Sequence, residues 1–182
     1  MCFKVLRYNN LKFSNQQSAI SKTQSGILLI NLGTPDTPHT REVRIFLREL
    51  LSCKRVLDIN PVWRWLLVNF VILPFRSRKS AKAYRKIWLE DGSPLLVYSQ
   101  KLKNALGEQL SEEKIPVELG MQCGRPSLKT AIAKLRGQNC DQIIVLPLYP
   151  QYASSSYGAA IEDLYKVVLN DWNIPYLRII PP

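Results

Sequence analysis

Residues 26–36 read GILLINLGTPD, an apolar run that ends at a Gly-Thr-Pro turn. A continuous apolar run without polar alternation is typical of a strand that is covered on both of its faces. The segment Ile27–Leu32 therefore predicts a buried strand of a parallel sheet. Three further apolar runs between turn residues predict three more strands: Val117–Cys123, Gln142–Leu148 and Tyr176–Ile180.

Helical periods separate the predicted strands. The first places five apolar residues on one helical face, at Val43, Phe46, Leu47, Leu50 and Leu51. Similar spacings predict helices around Leu102–Leu110, Leu128–Leu135 and Ala160–Val168. Strands that alternate with helices predict an α/β fold with a doubly wound, parallel, four-stranded sheet. Ligands of such sheets bind beyond the carboxyl ends of the strands.

Length and composition predict one domain. The chain of 182 residues suits a single hydrophobic core. We interpret the polar residues 1–25 as a flexible N-terminal extension and residues 26–182 as the α/β domain. The four cysteines form no metal-binding or disulfide pattern, so reduced thiols in a cytoplasmic protein are expected.

A formal net charge of +11 favours an anionic partner: nucleic acid, a membrane surface or a polyanionic small molecule. One acid-free run carries much of this charge: Arg76, Arg78, Lys79, Lys82, Arg85 and Lys86. A solvated basic face is the alternative interpretation. Just before this run, Trp63–Phe75 is the most hydrophobic part of the chain, although it is shorter than the roughly 20 apolar residues of a membrane span. Both segments lie in a long insertion between the first two strands, where we expect functional residues.

Three motifs carry a resemblance to a known family. The residues 26–36, the turn Gly92-Ser93-Pro94-Leu95, and residues 146–152 (LPLYPQY) resemble the N-terminal half of ferrochelatase, of the proteobacterial type. Ferrochelatases insert Fe²⁺ into protoporphyrin IX in the last step of haem synthesis. The resemblance implies the first of two chelatase-like domains, with Fe²⁺ and protoporphyrin IX as substrates and no permanently bound cofactor.

A porphyrin is a flat apolar disc with two carboxylates, so its site needs an apolar slot and a cationic or hydroxyl-rich rim. The resemblance places Tyr84, Ser93, Tyr149 and Ser155 along this porphyrin cleft. Arg76 and Arg78 are expected to pair with the propionates, because a guanidinium binds a carboxylate with two parallel hydrogen bonds. Residues 63–75 are expected to form an apolar lip that also contacts the membrane surface. Gln122 departs from the family pattern, in which some members have a basic residue.

Each of these assignments has a structural alternative. Aromatic residues such as Trp63, Trp65 and Phe70 are more often core residues than cofactor contacts. Tyr84 can be packed inside the protein, and the serines at 93 and 154–156 can cap helices.

Metal insertion requires a base that removes two pyrrole protons. The resemblance implies a histidine in a Ser-x-His-[Gly/Ser]-x-Pro segment and a glutamate, both in the C-terminal half of the family. The chain has one histidine, His39, in a different context that predicts the start of a helix. We therefore expect no catalytic residue and no metal ligand in this chain, the C-terminal domain to be absent, and the chain alone to be inactive.

Two other interpretations are open. The chain is either part of the enzyme or a non-catalytic porphyrin- or haem-binding fragment. A nucleic-acid binder rests on charge alone, because the basic run lacks interleaved aromatic residues. We expect no nucleic-acid partner and a cytoplasmic protein that associates with the membrane surface through Trp63–Phe75.

Overall fold

The computed structural model describes residues 24–170 and 172–182. Of the predicted extension at residues 1–25, positions 1–23 therefore lie outside the described residues. The strands are β1 (Gln24–Thr34), β2 (Val117–Gly124), β3 (Cys140–Pro147) and β4 (Tyr176–Ile179). The helices are α1 (Thr40–Ser52), α2 (Pro61–Leu66), α3 (Leu73–Ile87), α4 (Pro94–Gln109), α5 (Leu128–Gly137) and α6 (Ala159–Leu169). A first π segment (Leu67–Ile72) joins α2 to α3, and a second π segment (Ser154–Gly158) leads into α6.

The four strands form one parallel sheet in the order β2-β1-β3-β4. Helices cover both faces of this sheet, which confirms the predicted doubly wound α/β fold. The boundaries differ slightly from the sequence prediction. β1 begins at Gln24, which pairs with Cys140 of β3, so positions 24 and 25 belong to the sheet and not to an extension. β3 starts two residues earlier than predicted and ends at Pro147.

The core divides according to the alternation of side chains along the strands. Leu28 and Ile30 of β1 face α5 and α6 on one side of the sheet. Leu29, from the same strand, faces the opposite side with residues of β2 and α4. A third cluster joins α1, the first π segment and α3 to Cys123 at the end of β2. Both faces of β1 are therefore buried, as its continuous apolar sequence predicts.

The carboxyl ends of β1 and β2 approach each other very closely. Gly33 pairs with Cys123 and has a φ of +101°. A Cβ atom built on Gly33 would lie 1.7 Å from the backbone oxygen of Cys123. Only glycine fits at this position, because it combines a left-handed backbone with no side chain.

The sequence places the starts of three helices. Asn60, Ser93 and Ser127 each accept a hydrogen bond from a backbone N–H of the first turn of the helix that follows. Proline follows directly in α2 and α4, where its missing N–H costs nothing. One predicted helical face is incorrect, because Leu102 of α4 is 45% exposed while Leu106 and Leu110 pack against the core. Within the described part of the chain, no helix combines the length and apolar character that crossing a bilayer requires.

Candidate functional site

The carboxyl ends of β2 and β3 meet in a hydrogen-bonded network. The hydroxyl of Tyr149, just beyond β3, donates to Oε1 of Gln122 on β2 at 3.2 Å. The amide of Gln122 in turn donates to Oδ2 of Asp163 on α6 at 3.3 Å. Burial raises the pKa of Tyr149, so this side chain acts as a neutral hydroxyl. Gln122 is thus the centre of this network.

The network continues from α6 to the serine-rich segment. Nζ of Lys166 lies 3.1 Å from Oδ1 of Asp163 and 2.8 Å from Oε1 of Glu162. The second oxygen of Glu162 pairs with Nε of Arg55, which lies in the loop after α1. Nη1 of Arg55 then donates to the hydroxyl of Ser154 at 3.3 Å. A continuous path of polar contacts therefore connects Tyr149 with the second π segment.

Ser155 is exposed in the second π segment, beside Ser154. The side chains of this segment make no cap to the N–H groups of the following turn, although the hydroxyl of Ser156 donates to the carbonyl of Ala153 at 3.5 Å. The hydroxyls of these serines therefore do not cap the following helix, contrary to the sequence prediction. Ser155 is available to a ligand at the surface.

Tyr84 is packed against other aromatic rings. It is half-buried on α3, with edge-to-face contacts to Phe46 at 6.3 Å and to Trp88 at 6.2 Å between ring centroids. Burial raises its pKa. The structural alternative for Tyr84 agrees with these contacts, and a role in binding stays a prediction.

Ser93 has a structural role. Its side chain is buried, with 3% of the residue exposed, and its hydroxyl accepts from the N–H of Leu96 at 3.5 Å. The hydroxyl therefore caps α4, as the alternative interpretation of Gly-Ser-Pro predicts. Contact with a porphyrin at Ser93 stays a prediction.

Arg76 and Arg78 lie exposed on α3, in a helix that contains six cations and no carboxylate. Among the residues that the structure describes, no carboxylate forms an ion pair with either guanidinium. No hydrogen bond or ion pair of the described residues connects these two arginines, or Ser93, with the network around Tyr149. The predicted site residues thus fall into two groups. Tyr149 and the serine segment are connected by the polar network, whereas Arg76 and Arg78 lie on the cationic helix α3.

The aromatic side chains of the apolar segment lie at the surface, whereas Val68 and Leu73 are buried in the core. Trp63 is 68% exposed and Phe75 is 79% exposed, with Trp65, Phe70 and Val71 also exposed. Trp65 and Phe70 stack edge to face at 5.5 Å. The alternative interpretation of these aromatic residues as core is wrong. Within the first π segment, Val68 is the one buried residue.

His39 is exposed at the N-cap of α1, and its Nδ1 lies 2.9 Å from the hydroxyl of Thr37. The helix-start interpretation of this histidine is confirmed. In residues 24–170 and 172–182, no group of three or more His, Cys, Asp or Glu side chains is arranged to hold a metal ion.

Sequence reasoning missed the part of the network that lies beyond Tyr149 and Gln122. Arg55, Glu162, Asp163 and Lys166 were not candidates, although Lys166 stands four residues after Glu162 and three after Asp163, the spacing of neighbours on a helix. It also missed Glu49, whose Oε2 accepts from the N–H of Gly124 at 2.9 Å. Burial raises the pKa of this carboxyl, and the nearby charges of Asp163 and Asp36 act in the same direction. No spacing in the sequence relates Arg55 or Glu49 to the strand ends.

Comparison with known proteins agrees with this architecture. The family model described as Ferrochelatase matches residues 24–182. The ferrochelatase of Coxiella burnetii (strain Dugway 5J108-111) is 50% identical over 139 residues, which are 76% of this chain and 39% of that protein. Those of Marinomonas sp. (strain MWYL1) and Legionella pneumophila (strain Paris) are 47% and 48% identical over 85% of this chain and 48% and 46% of their own lengths. The chain thus spans less than half the length of these curated relatives. The match over nearly all of the described residues shows that this chain belongs to the ferrochelatase family.

Proposed function

We propose that this chain forms the porphyrin-binding wall of a ferrochelatase, which inserts Fe²⁺ into protoporphyrin IX to make haem. The observation that carries the proposal is the polar network from Tyr149 to Ser154 at the carboxyl ends of the parallel strands. Ligands of open α/β sheets bind at this edge. Hydroxyl groups at the rim of an apolar slot match the two carboxylates of the substrate.

The substrate's carboxylates would bind at the serine segment and at the cationic helix. Ser155 is exposed beside Ser154, so its hydroxyl is free to donate to a propionate. Arg76 and Arg78 are exposed guanidiniums in a helix without acidic residues, which supports their assignment to a carboxylate partner. Tyr149 offers a neutral hydroxyl next to the disc of the porphyrin.

Insertion of Fe²⁺ releases two protons from the pyrrole nitrogens. The single histidine of the chain lies at the start of α1 with Thr37, and the family resemblance implies a histidine and a glutamate of the C-terminal half for this step. We therefore assign binding and orientation of the porphyrin to this chain, and we propose that such a histidine and glutamate take the protons. On this proposal the 182 residues alone do not insert metal.

Titration of protoporphyrin IX with this chain, followed by quenching of porphyrin fluorescence, tests the binding. We expect saturable binding at micromolar protein and an affinity about tenfold lower in the Arg76→Ala/Arg78→Ala variant. Lys82→Ala/Lys86→Ala is the matched control, since it removes two cations from the same helix and should change affinity less than about twofold. No quenching by the wild-type chain would refute the proposal, and unchanged affinity in the arginine variant would move Arg76 and Arg78 to the solvated surface.

A metal-insertion assay tests whether this chain alone is inactive, as both the enzyme-part and the non-catalytic-binder interpretations require. The wild-type chain with Fe²⁺ and porphyrin should show no haem absorbance above the protein-free rate. Reading the gene beyond the codon for Pro182 then distinguishes the two, since a Ser-x-His-[Gly/Ser]-x-Pro segment in frame supports the enzyme. A frame that closes without this segment supports the porphyrin- or haem-binding fragment.

We also propose that the exposed apolar segment contacts an anionic membrane surface, from which a hydrophobic substrate partitions. Along the chain, the exposed aromatic residues are followed directly by the six exposed cations of α3. Exposed aromatic residues next to cations are typical of helices that bind a membrane surface. Sedimentation with vesicles containing anionic lipid should recover the wild-type chain, and Trp63→Ser/Phe75→Ser should reduce the recovered fraction. Equal recovery of both proteins would refute the assignment of these side chains.

A further inference from the structure

Arg55 lies where three elements meet. It follows α1 in the chain, yet its side chain reaches α6 through Glu162 and the second π segment through Ser154. The guanidinium also lies against the backbone of that segment, since a Cβ on Gly158 would be 3.3 Å from Nη1. One planar group therefore joins two parts of the chain about a hundred residues apart.

The partners of Arg55 are themselves fixed. Glu162 is held on its other oxygen by Lys166 at 2.8 Å, and Lys166 also pairs with Asp163. The hydrogen bond from Lys166, and then the one from Arg55, lowers the pKa of Glu162, so the carboxylate is charged when it orients the guanidinium. Asp163 connects this assembly with Gln122 and Tyr149.

The direction of the bond to Ser154 has a chemical consequence. A guanidinium has only donors, so the oxygen of Ser154 must accept from Nη1. The proton of the Ser154 hydroxyl is then directed to another acceptor. A ligand group that meets Ser154 should therefore be an acceptor, and an ionised carboxylate is a stronger acceptor than a neutral ester.

We propose that Arg55 is a positioning residue that orients the hydroxyl of Ser154 as a donor to a free carboxylate of the porphyrin. This inference rests on the proposed function, because it concerns the same porphyrin site. Lysine cannot replace arginine here, since a single ammonium lacks the planar fork that contacts Glu162 and Ser154 in one plane. Arg55 thus determines a preference for dicarboxylic porphyrins over their esters.

The test compares affinities for protoporphyrin IX and for its dimethyl ester, both measured by fluorescence quenching in one detergent buffer. The wild-type chain should bind the diacid more tightly. Arg55→Lys should lower the ratio of the two affinities about three- to tenfold, as expected for the net contribution of one hydrogen bond at an exposed site. Ser154→Ala should lower it equally, and the double variant should be no worse than either single variant, because both act through one hydroxyl.

Lys54→Gln is the matched control. Lys54 lines a cavity of about 340 Å³ together with Arg55 and Ser154, but it makes no hydrogen bond to Ser154. Its replacement removes a neighbouring cation and should leave the affinity ratio within about twofold of the wild-type value. Circular dichroism and thermal unfolding of each variant show whether the fold is retained, and Arg55→Gln replaces Arg55→Lys if the lysine variant fails to fold.

The outcomes separate the two proposals. A wild-type chain that binds neither porphyrin refutes the proposed function, and the role of Arg55 with it. A wild-type chain that prefers the diacid, with the same preference in Arg55→Lys, refutes the role of Arg55 alone. Additive losses in the double variant also refute it, because Arg55 would then act independently of Ser154.

Discussion

Replacement of Gly33 by alanine should strongly destabilise the domain. The new Cβ would lie 1.7 Å from the backbone oxygen of Cys123, whereas ordinary van der Waals contact begins near 3.4 Å. β1 and β2 would have to separate by about 1.7 Å at their carboxyl ends to remove the collision. That movement breaks the pairing at Gly33 and at the next position, Thr34 with Gly124.

The expected cost follows from two contributions. A non-glycine residue with positive φ costs about 1–2 kcal/mol. Each lost backbone hydrogen bond costs about 0.5–1.5 kcal/mol, and one or two are lost here. Together they predict a decrease of about 2–5 kcal/mol in the free energy of unfolding. For a domain of this size, such a change lowers Tm by about 4–20 °C.

Substitutions at two other glycines distinguish the cost of backbone strain from the cost of the steric collision. Gly92 has a φ of +127° and nothing within 4 Å of a built Cβ, so Gly92→Ala should cost only the backbone strain of about 1–2 kcal/mol. Gly107 lies within α4 with open space around it, so Gly107→Ala should stabilise the chain by about 0.5–1 kcal/mol. Urea unfolding followed by circular dichroism measures all three. A Gly33→Ala variant that loses no more stability than Gly92→Ala would refute the close approach of the two strands.

Three further predictions concern individual side chains. Ser93→Ala should lower the free energy of unfolding by about 1 kcal/mol in urea titrations, because it removes the cap of α4, and a stability equal to wild type would contradict that role. The pKa of Glu49 is raised, so the folded state binds the proton of this carboxyl more tightly than the unfolded chain does. This carboxyl therefore makes the free energy of unfolding fall as the pH rises above 4.5, the ordinary pKa of the group. Glu49→Gln should reduce that fall in unfolding measurements between about pH 4 and pH 6, and an unchanged profile would refute the assignment. Burial raises the pKa of Cys123 to about 12, so its thiol should react slowly with iodoacetamide at pH 8. In a Cys2→Ser background, mass spectrometry should show that Cys53 is alkylated at least about a hundredfold faster than Cys123. Similar rates for the two thiols would contradict the burial of Cys123.

The sheet was predictable because its signal is local. β1 is buried on both faces, so the short apolar run Ile27–Leu32 identifies it as a strand without knowledge of its neighbours. The same is true of the caps at Asn60, Ser93 and Ser127, which need only the following turn. The strand ends were less certain, since Gln24 and Cys140 join the sheet only by pairing with each other.

The candidate site was predictable only in part. Tyr149 and the serine segment follow a strand, so their place at the carboxyl edge can be deduced from the order of elements. Their partners cannot be deduced in this way. Arg55 and Glu162 are about a hundred positions apart, and they meet only because the loop after α1 lies beside α6. The exposure of Trp63 was equally undetermined, because an aromatic run at helical spacing can face either the core or the surface.

By itself, the sequence determined the class of the fold, the position of its strands and the family, since these depend on local apolar runs and on three ordered motifs. The tertiary structure decided which polar groups are neighbours. It brought Arg55 to Ser154, made Gln122 the centre of a network, exposed the aromatic side chains of the segment 63–75, and brought the strand ends so close that Gly33 has no substitute. The physical reason is that hydrogen bonds and close contacts act over a few ångströms in space, and separation along the chain does not limit them.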